Sequence, residues 1–502
     1  MAKTSKSGKS NRKAVTGGMY VIIVAIVLVI VCFFVYITGV LPKTVTGVKI
    51  FENLPDGSQS TVRNFSVLET NYHFKEVFDS YSQYGMVSED LLDSIYSGEE
   101  TYRDWLLRET ATQLRTLALA ERAAKQDSEF YATSKARDMA ADGVTTLDFY
   151  AKMYGYPSGQ QFLSTQYGTG MTKRAYIDFS SRELLIQEYA AYLQQFGATI
   201  VPTDDEVQAR FDENPYQSYL VDYNSYFVQI RKDDDSIDVE KSKAEADKIA
   251  KATKDSASFR KAVMDYLTAK GDTEALAAYE DDADPTFSEN TAYSAYMNDD
   301  VKAFLFSESE VGSVKVIEVE TGAYVLYVAD KKLNELKNVT YRTLTLSTGV
   351  KSDATAEEIT AAAQKTVADA QAYCTQGMAP IDFYKIVKEH TKDSNEMMTG
   401  GYYAAATIDS FVPTEENPLD SSAVEAGQWL FEPDRKAGDI KIVVSEDQKT
   451  VTVFYFEANR PAWANAIRSE IISSNYADWN AALEVNTPGY SVNSGLVKYL
   501  IY

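Results

Sequence analysis

Apolar residues along this chain change their spacing several times, and each change marks a different kind of element. From Met19 to Leu41 the sequence MYVIIVAIVLVIVCFFVYITGVL carries no charge, and it is as long as the roughly 20 residues a helix needs to cross a bilayer. TVTGVKIFENL and the Pro55-Asp56-Gly57 turn predict an extended connector with strand character over 42–65. The period then becomes helical. In Glu99 to Gln126 the residues Tyr102, Leu106, Leu107, Ala111, Leu114, Leu117 and Ala120 recur at three- and four-residue steps, and Ala175, Tyr176, Phe179, Leu184, Leu185, Tyr189 and Tyr192 do so before Gly197. Both patterns predict amphipathic helices. Cap signals at Thr145-Thr146-Leu147-Asp148 and Ser158-Gly159-Gln160-Gln161 predict shorter helices between them, and Thr203 with Glu206 predicts a capping box on a helix ending near Phe211.

From Tyr219 the alternation becomes strand-like, and one order of elements occurs twice. VDYNSYFVQIRK reads as a strand, KSKAEADKIAKATKDSASFRKAVMDYL as a helix pair, and VKAFLFSESEVGSVKVIEVETGAYVLYVADK as a helix end, a turn and two strands. VTYRTLTLS, AEEITAAAQKTVADAQAYCTQG, a helix from Asp382 to His390, a Gly400-Gly401 turn and GQWLFEPDRKAGDIKIVVSEDQKTVTVFYFEANRPAW repeat that order roughly 115 residues later. A last amphipathic helix spans Trp463 to Leu483.

Charge gives the apolar run a direction. Six of the 49 Lys/Arg lie at or before Lys43 and none of the 73 Asp/Glu does, leaving 43 basic and 73 acidic residues and a net charge of −30 beyond it. A basic flank stays cytoplasmic, so the expected arrangement is a single-pass cell-membrane protein with its bulk outside. A cleaved signal peptide would have a shorter apolar region and an Ala-x-Ala site; a lipoprotein signal would end on a Cys, whereas Cys32 lies inside the run. The acidic excess argues against nucleic acid as a partner, which requires phosphate-neutralising Lys/Arg. Cys374 alone follows the anchor, so the exported part forms no internal disulfide, a usage that points to a bacterial surface.

The exported part resembles the SurA/PrsA/PpiD-type foldases. The resemblance rests on PTDDEVQARFDENP, on Phe383-x-x-Ile386-Val387-Lys388-Glu389-His390-Thr391-Lys392-Asp393 followed by Gly400-Gly401, and on the ends Val311-Gly312-Ser313-Val314…Gly322-Ala323-Tyr324-Val325-Leu326 and Gly438-Asp439-Ile440…Val451 to Phe456. It implies an α+β chain: a basic tail (1–18), a transmembrane helix (19–41), the connector (42–65), a helical SurA-like chaperone domain (66–215), two parvulin-like, FKBP-like modules (216–335 and 336–462), and a C-terminal helix and tail (463–502). The implied partners are unfolded or emerging exported polypeptides and the secretion channel.

Parvulin-type prolyl isomerisation lowers a rotational barrier near 20 kcal/mol with an apolar proline pocket and a polar cluster, typically two histidines and a Cys or Asp. No metal, cofactor or covalent intermediate is expected. The chain has two histidines. His73 falls in the helical domain, and His390 reads as a packing or surface residue. The family-histidine positions map to Tyr226 and Tyr324 in the first module and to Arg342 and about Thr452 in the second. Asp393 matches the Cys/Asp position and is the one catalytic candidate, with an ordinary loop carboxylate as the alternative. The resemblance therefore implies a chaperone with weak or absent isomerase activity. A non-catalytic envelope adaptor holding one fixed partner is the alternative from another class. A hydrolase is disfavoured, since neither Gly-x-Ser-x-Gly nor His-Glu-x-x-His occurs.

Overall fold

The computed structural model describes residues 40–54, 56–280, 283–294, 296–415, 418–485 and 489–493. All but the last two residues of the expected membrane span lie outside these. Among the described residues no helix is long and apolar enough to cross a membrane.

The chain is α+β, with small antiparallel sheets set among helices. Its first part is a hairpin, β1 (Thr46–Asn53) and β2 (Gln59–Ser66), laid on helices α1 (Val67–Gln83) and α2 (Tyr102–Gln126). Val48, Ile50 and Phe65 pack against Ala111, Leu114 and Ala118 of α2. Helices α3 (Ala136–Thr145), α4 (Leu147–Met153), α5 (Gly159–Tyr167) and α6 (Lys173–Phe196) follow. Short polar side chains set four of these helix starts, while α3 and α4, the latter against the cap signal at Thr146, begin without a side-chain cap. Ser66 caps α1, Thr101 caps α2, Ser158 caps α5 and Thr172 caps α6, each accepting from a backbone N–H in the first turn. The expected capping box of Thr203 and Glu206 opens α7 (Asp204–Glu213).

Two sheets follow. In the first, β3 (Tyr219–Val228) pairs with β4 (Phe287–Ala292) and β6 (Gly322–Leu333), and β5 (Val314–Val319) completes the order β4-β3-β6-β5. Helices α8 (Val239–Ala252) and α9 (Ser256–Lys270) bury Ile249, Phe259 and Val263 against one face of it. In the second, β7 (Lys337–Ser347), β8 (Tyr402–Ala406), β9 (Ile440–Val444) and β10 (Thr450–Pro461) take the matching order β8-β7-β10-β9. Helices α10 (Ala356–Tyr373) and α11 (Pro380–His390) cover one face of that sheet, α12 (Ser394–Thr399) leads into β8, and α13 (Ser421–Leu430) covers the other face. The repeat expected from the sequence is thus present as two sheets of one topology.

The last helix, α14 (Ala462–Val485), returns to the helical part. Its Ile472, Tyr476 and Trp479 join the cluster of Tyr189, Tyr192 and Leu193, and Ala464 and Ile467 pack on Val207. After it, β11 (Gly489–Val492) pairs with β1, placing Val492 opposite Val48 and Tyr490 opposite Ile50. The stretch expected to be an extended connector with strand character thus supplies β1 and β2 of a three-stranded sheet, closed on the β1 side by β11. The acidic stretch between α9 and β5 in the first sheet's part of the chain contains the edge strand β4.

Candidate functional site

Strand alternation decides which of the expected positions can meet, because directly paired residues share a face and their neighbours point to the other. In the first module Tyr226 pairs with Val325 and Phe227 with Tyr324, which puts Tyr226 and Tyr324 on opposite faces. Tyr226 lies edge-on to Tyr266 at 6.0 Å beneath the helix pair, where burial pushes its phenol up to about 12. Tyr324 packs on Phe227 at 4.6 Å, beside the cluster of Phe304, Leu305 and Ile317. No common site joins them.

The second module divides its two positions in the same way. Thr452 is half-buried and pairs with Thr345, on the face that carries Tyr341, Phe454 and Phe456. Arg342 pairs with Tyr455 on the opposite face and is 1% exposed. Its guanidinium bonds Glu457, donates to Gln195 Oε1 at 2.8 Å and to the Gly400 carbonyl at 3.2 Å, and lies over the rings of Phe196 and Tyr402. Gln195 and Phe196 belong to α6, so Arg342 ties the helical part to the second sheet.

Asp393 is exposed and N-caps α12, its carboxylate accepting from the Glu396 N–H at 2.9 Å. The residue that lies against the sheet is Glu396, 3% exposed. It accepts from Thr343 Oγ1 (2.8 Å), Thr345 Oγ1 (2.8 Å), the Thr345 N–H (2.9 Å) and Thr391 Oγ1 (2.6 Å). Four donors satisfy a buried carboxylate without a cation. Asp393 caps α12, but the Glu396 side chain does not reach back to close a capping box and turns to β7 instead. Gly401 permits the close approach. It sits at φ +73°, its carbonyl accepts from the Thr343 N–H at 2.9 Å, and a Cβ there would meet the Thr343 carbonyl.

Beside Glu396 lies an aromatic floor. Tyr341 stacks on Tyr403 at 4.8 Å and 4°, and meets Phe411 at 5.8 Å and Phe454 at 5.9 Å. Tyr403 is 44% exposed. Burial raises its phenol; the Thr343 hydrogen bond opposes this, while the nearby Glu396 and Asp393 add to it. The arrangement offers one accessible ring, a polar edge and Asp393 at the rim. His390 stacks on Tyr373 at 3.7 Å and 5°, away from this floor.

A second surface lies on the helical part. Phe149, Tyr150 and Met153 of α4 and Tyr154 just beyond it are 49–70% exposed, and Tyr154 stacks near Phe162 at 6.2 Å. Tyr84, Met86, Ile95 and Tyr96, after α1 and on the short hairpin before α2, are also exposed. Grouped exposed aromatics and methionines mark interaction surfaces in soluble domains. The helical period does not separate this patch from core, because Leu147 of the same helix packs inward. Comparison with known protein families and with curated proteins finds no match for this chain.

Proposed function

We propose that this chain is a membrane-anchored, extracytoplasmic holdase or foldase for unfolded exported polypeptides. In this reading its helical part is a SurA-like chaperone domain and its two sheets are parvulin-like modules without working isomerase sites. The observation that carries it is the exposed Phe149, Tyr150, Met153 and Tyr154 group. Apolar rings with adaptable neighbours hold extended chain without requiring a defined sequence. The paired sheets of matching order support the parvulin-like assignment. Rings and hydroxyls occupy the face with Glu396, and Arg342 is committed to structural contacts, which supports a weak or absent isomerase.

The test uses the full chain in detergent or nanodiscs with a chemically unfolded client. We expect substoichiometric to equimolar protein to suppress client aggregation, and a protease-coupled prolyl-peptide assay to proceed at the buffer rate. Crosslinking in cells should trap many unrelated exported proteins. A single stoichiometric partner, together with unaltered client aggregation, would support the adaptor reading instead.

A further inference from the structure

His73 lies on α1 and is fully buried, yet neither of its ring nitrogens makes an aligned hydrogen bond. Nδ1 is 2.9 Å from Oε1 of Glu183 on α6 and 3.5 Å from Oε2 of Glu76, three residues further along α1. One ligand atom from each of the three residues lies within 4.8 Å of the others. A hydrogen bond would place the carboxylate oxygen close to the N–H axis, and here it lies off that axis. Two ligands of one cation must do so. At metal–ligand distances of about 2.1 Å, neighbouring donors are about 3.0 Å apart in an octahedron and about 3.4 Å apart in a tetrahedron. The two spacings from His73 Nδ1, 2.9 and 3.5 Å, match such edges, and the third pair lies within 4.8 Å.

We propose that His73, Glu76 and Glu183 form a three-ligand site for a divalent transition-metal ion of the Zn²⁺ or Mn²⁺ class. An imidazole with two carboxylates suits these ions better than Ca²⁺ or Mg²⁺, which prefer all-oxygen shells. Helical bundles build such sites from a Glu and a His at i, i+3 on one helix with a carboxylate from a second; here the pair has the same spacing in the reverse order, His73 before Glu76. Tyr72 Oη donates to Oε2 of Glu183 at 3.1 Å and orients the carboxylate from behind. The Glu76 and Glu183 side chains keep 34% and 23% exposure, leaving an entry path and open positions for water. A proton is the competing occupant. Burial by itself would depress the imidazole, but Glu183 and Glu76 lift it to about 9. The site is independent of the chaperone reading, and departs from the expectation that the chain carries no metal.

The test takes untagged full-length protein, stripped with a chelator, at pH 8. Co²⁺ should produce visible d–d absorption that Zn²⁺ displaces. Zn²⁺ at about 100 times its Kd should raise the unfolding midpoint by roughly 2–5 °C, by mass action. Glu76→Gln, at the solvent edge of the site, should keep its metal-free midpoint within a few degrees, lose the cobalt band and bind Zn²⁺ at least about tenfold more weakly. Should Glu76→Gln fail to fold, Glu183→Gln provides the same reading. The proposal is overturned if wild type shows no cobalt band, if both Gln variants bind as tightly as wild type, or if Ca²⁺ shifts the midpoint as far as Zn²⁺.

Discussion

Lys388 and Glu188 are 1% and 0% exposed at their side chains, and they join α11 to α6. The Lys388 ammonium meets Glu188 and the Met397 carbonyl, while Glu188 also accepts from Ser134 Oγ and from the Lys135 N–H at 2.9 Å. Burial lowers the Lys388 pKa and the Glu188 charge counters that shift. Breaking such a pair strands one charge in the interior, at a cost of about 3–5 kcal/mol. Lys388→Met should therefore lower the urea midpoint strongly. Lys388→Met with Glu188→Gln should recover much of the loss, since a Gln carbonyl still accepts from Lys135. Equal destabilisation in the single and double variants would refute the charge argument. Cys374 makes a separate residue-scale case. Burial pushes its thiol from 9.0 up to about 11, so at pH 8 its thiolate fraction is about 100-fold below that of an ordinary thiol. In a Cys32→Ser background, a maleimide at pH 8 should label the native chain at least that much more slowly than the urea-unfolded chain. The sign for stability follows too: the contribution of the neutral thiol is complete below pH 9 and is lost as pH rises through 11.

Elements differ in how much of their cause lies nearby in sequence. α2, α6 and the boxed start of α7 are legible because periodicity and caps act within a few residues. β4, β8 and β11 are not, because each is a short, partly polar edge strand whose partner lies far along the chain, 440 positions away for Tyr490 and Ile50. Register is subtler still. Arg342 and Thr343 are adjacent, yet one faces α6 and the other faces Glu396. A shift of one residue moves a candidate to the other side of the sheet, and loose motif matching does not resolve it. Glu396 was hidden for a related reason, since its spacing from Asp393 is that of a cap. The β11 pairing supplies its own prediction. Ending the chain after Val485 uncovers the β1 edge and removes Tyr490 and Val492 from the clusters around Leu114 and Phe74. The truncated protein should unfold at lower denaturant and associate in a concentration-dependent way, as exposed strand edges do. An unchanged midpoint in equilibrium unfolding would show that β11 contributes nothing.

At the scale of the whole molecule, the helical part and the second module are held together by polar and aromatic contacts while apolar rings remain outside. Arg342, Lys388 and the ring of Tyr384 among Tyr192 and Phe196 all sit between α6 and the second module. The exposed rings of α4 lie on the helical part and belong to none of these contacts. Replacing Phe149 and Met153 with Ser should therefore leave the unfolding free energy within about 1 kcal/mol of wild type, as surface changes usually do. It should nevertheless weaken suppression of client aggregation several-fold. The acidic surface adds a second handle. If negative charge draws basic segments of a client towards the apolar rings, raising salt from 0.05 to about 0.5 M should shorten the Debye length from over 10 Å to a few ångströms and weaken capture. The apolar contribution should persist, so the Phe149→Ser, Met153→Ser chain should lose the remaining high-salt binding as well. Client capture that is unaffected by both salt and these two substitutions would place the holding surface elsewhere on the molecule.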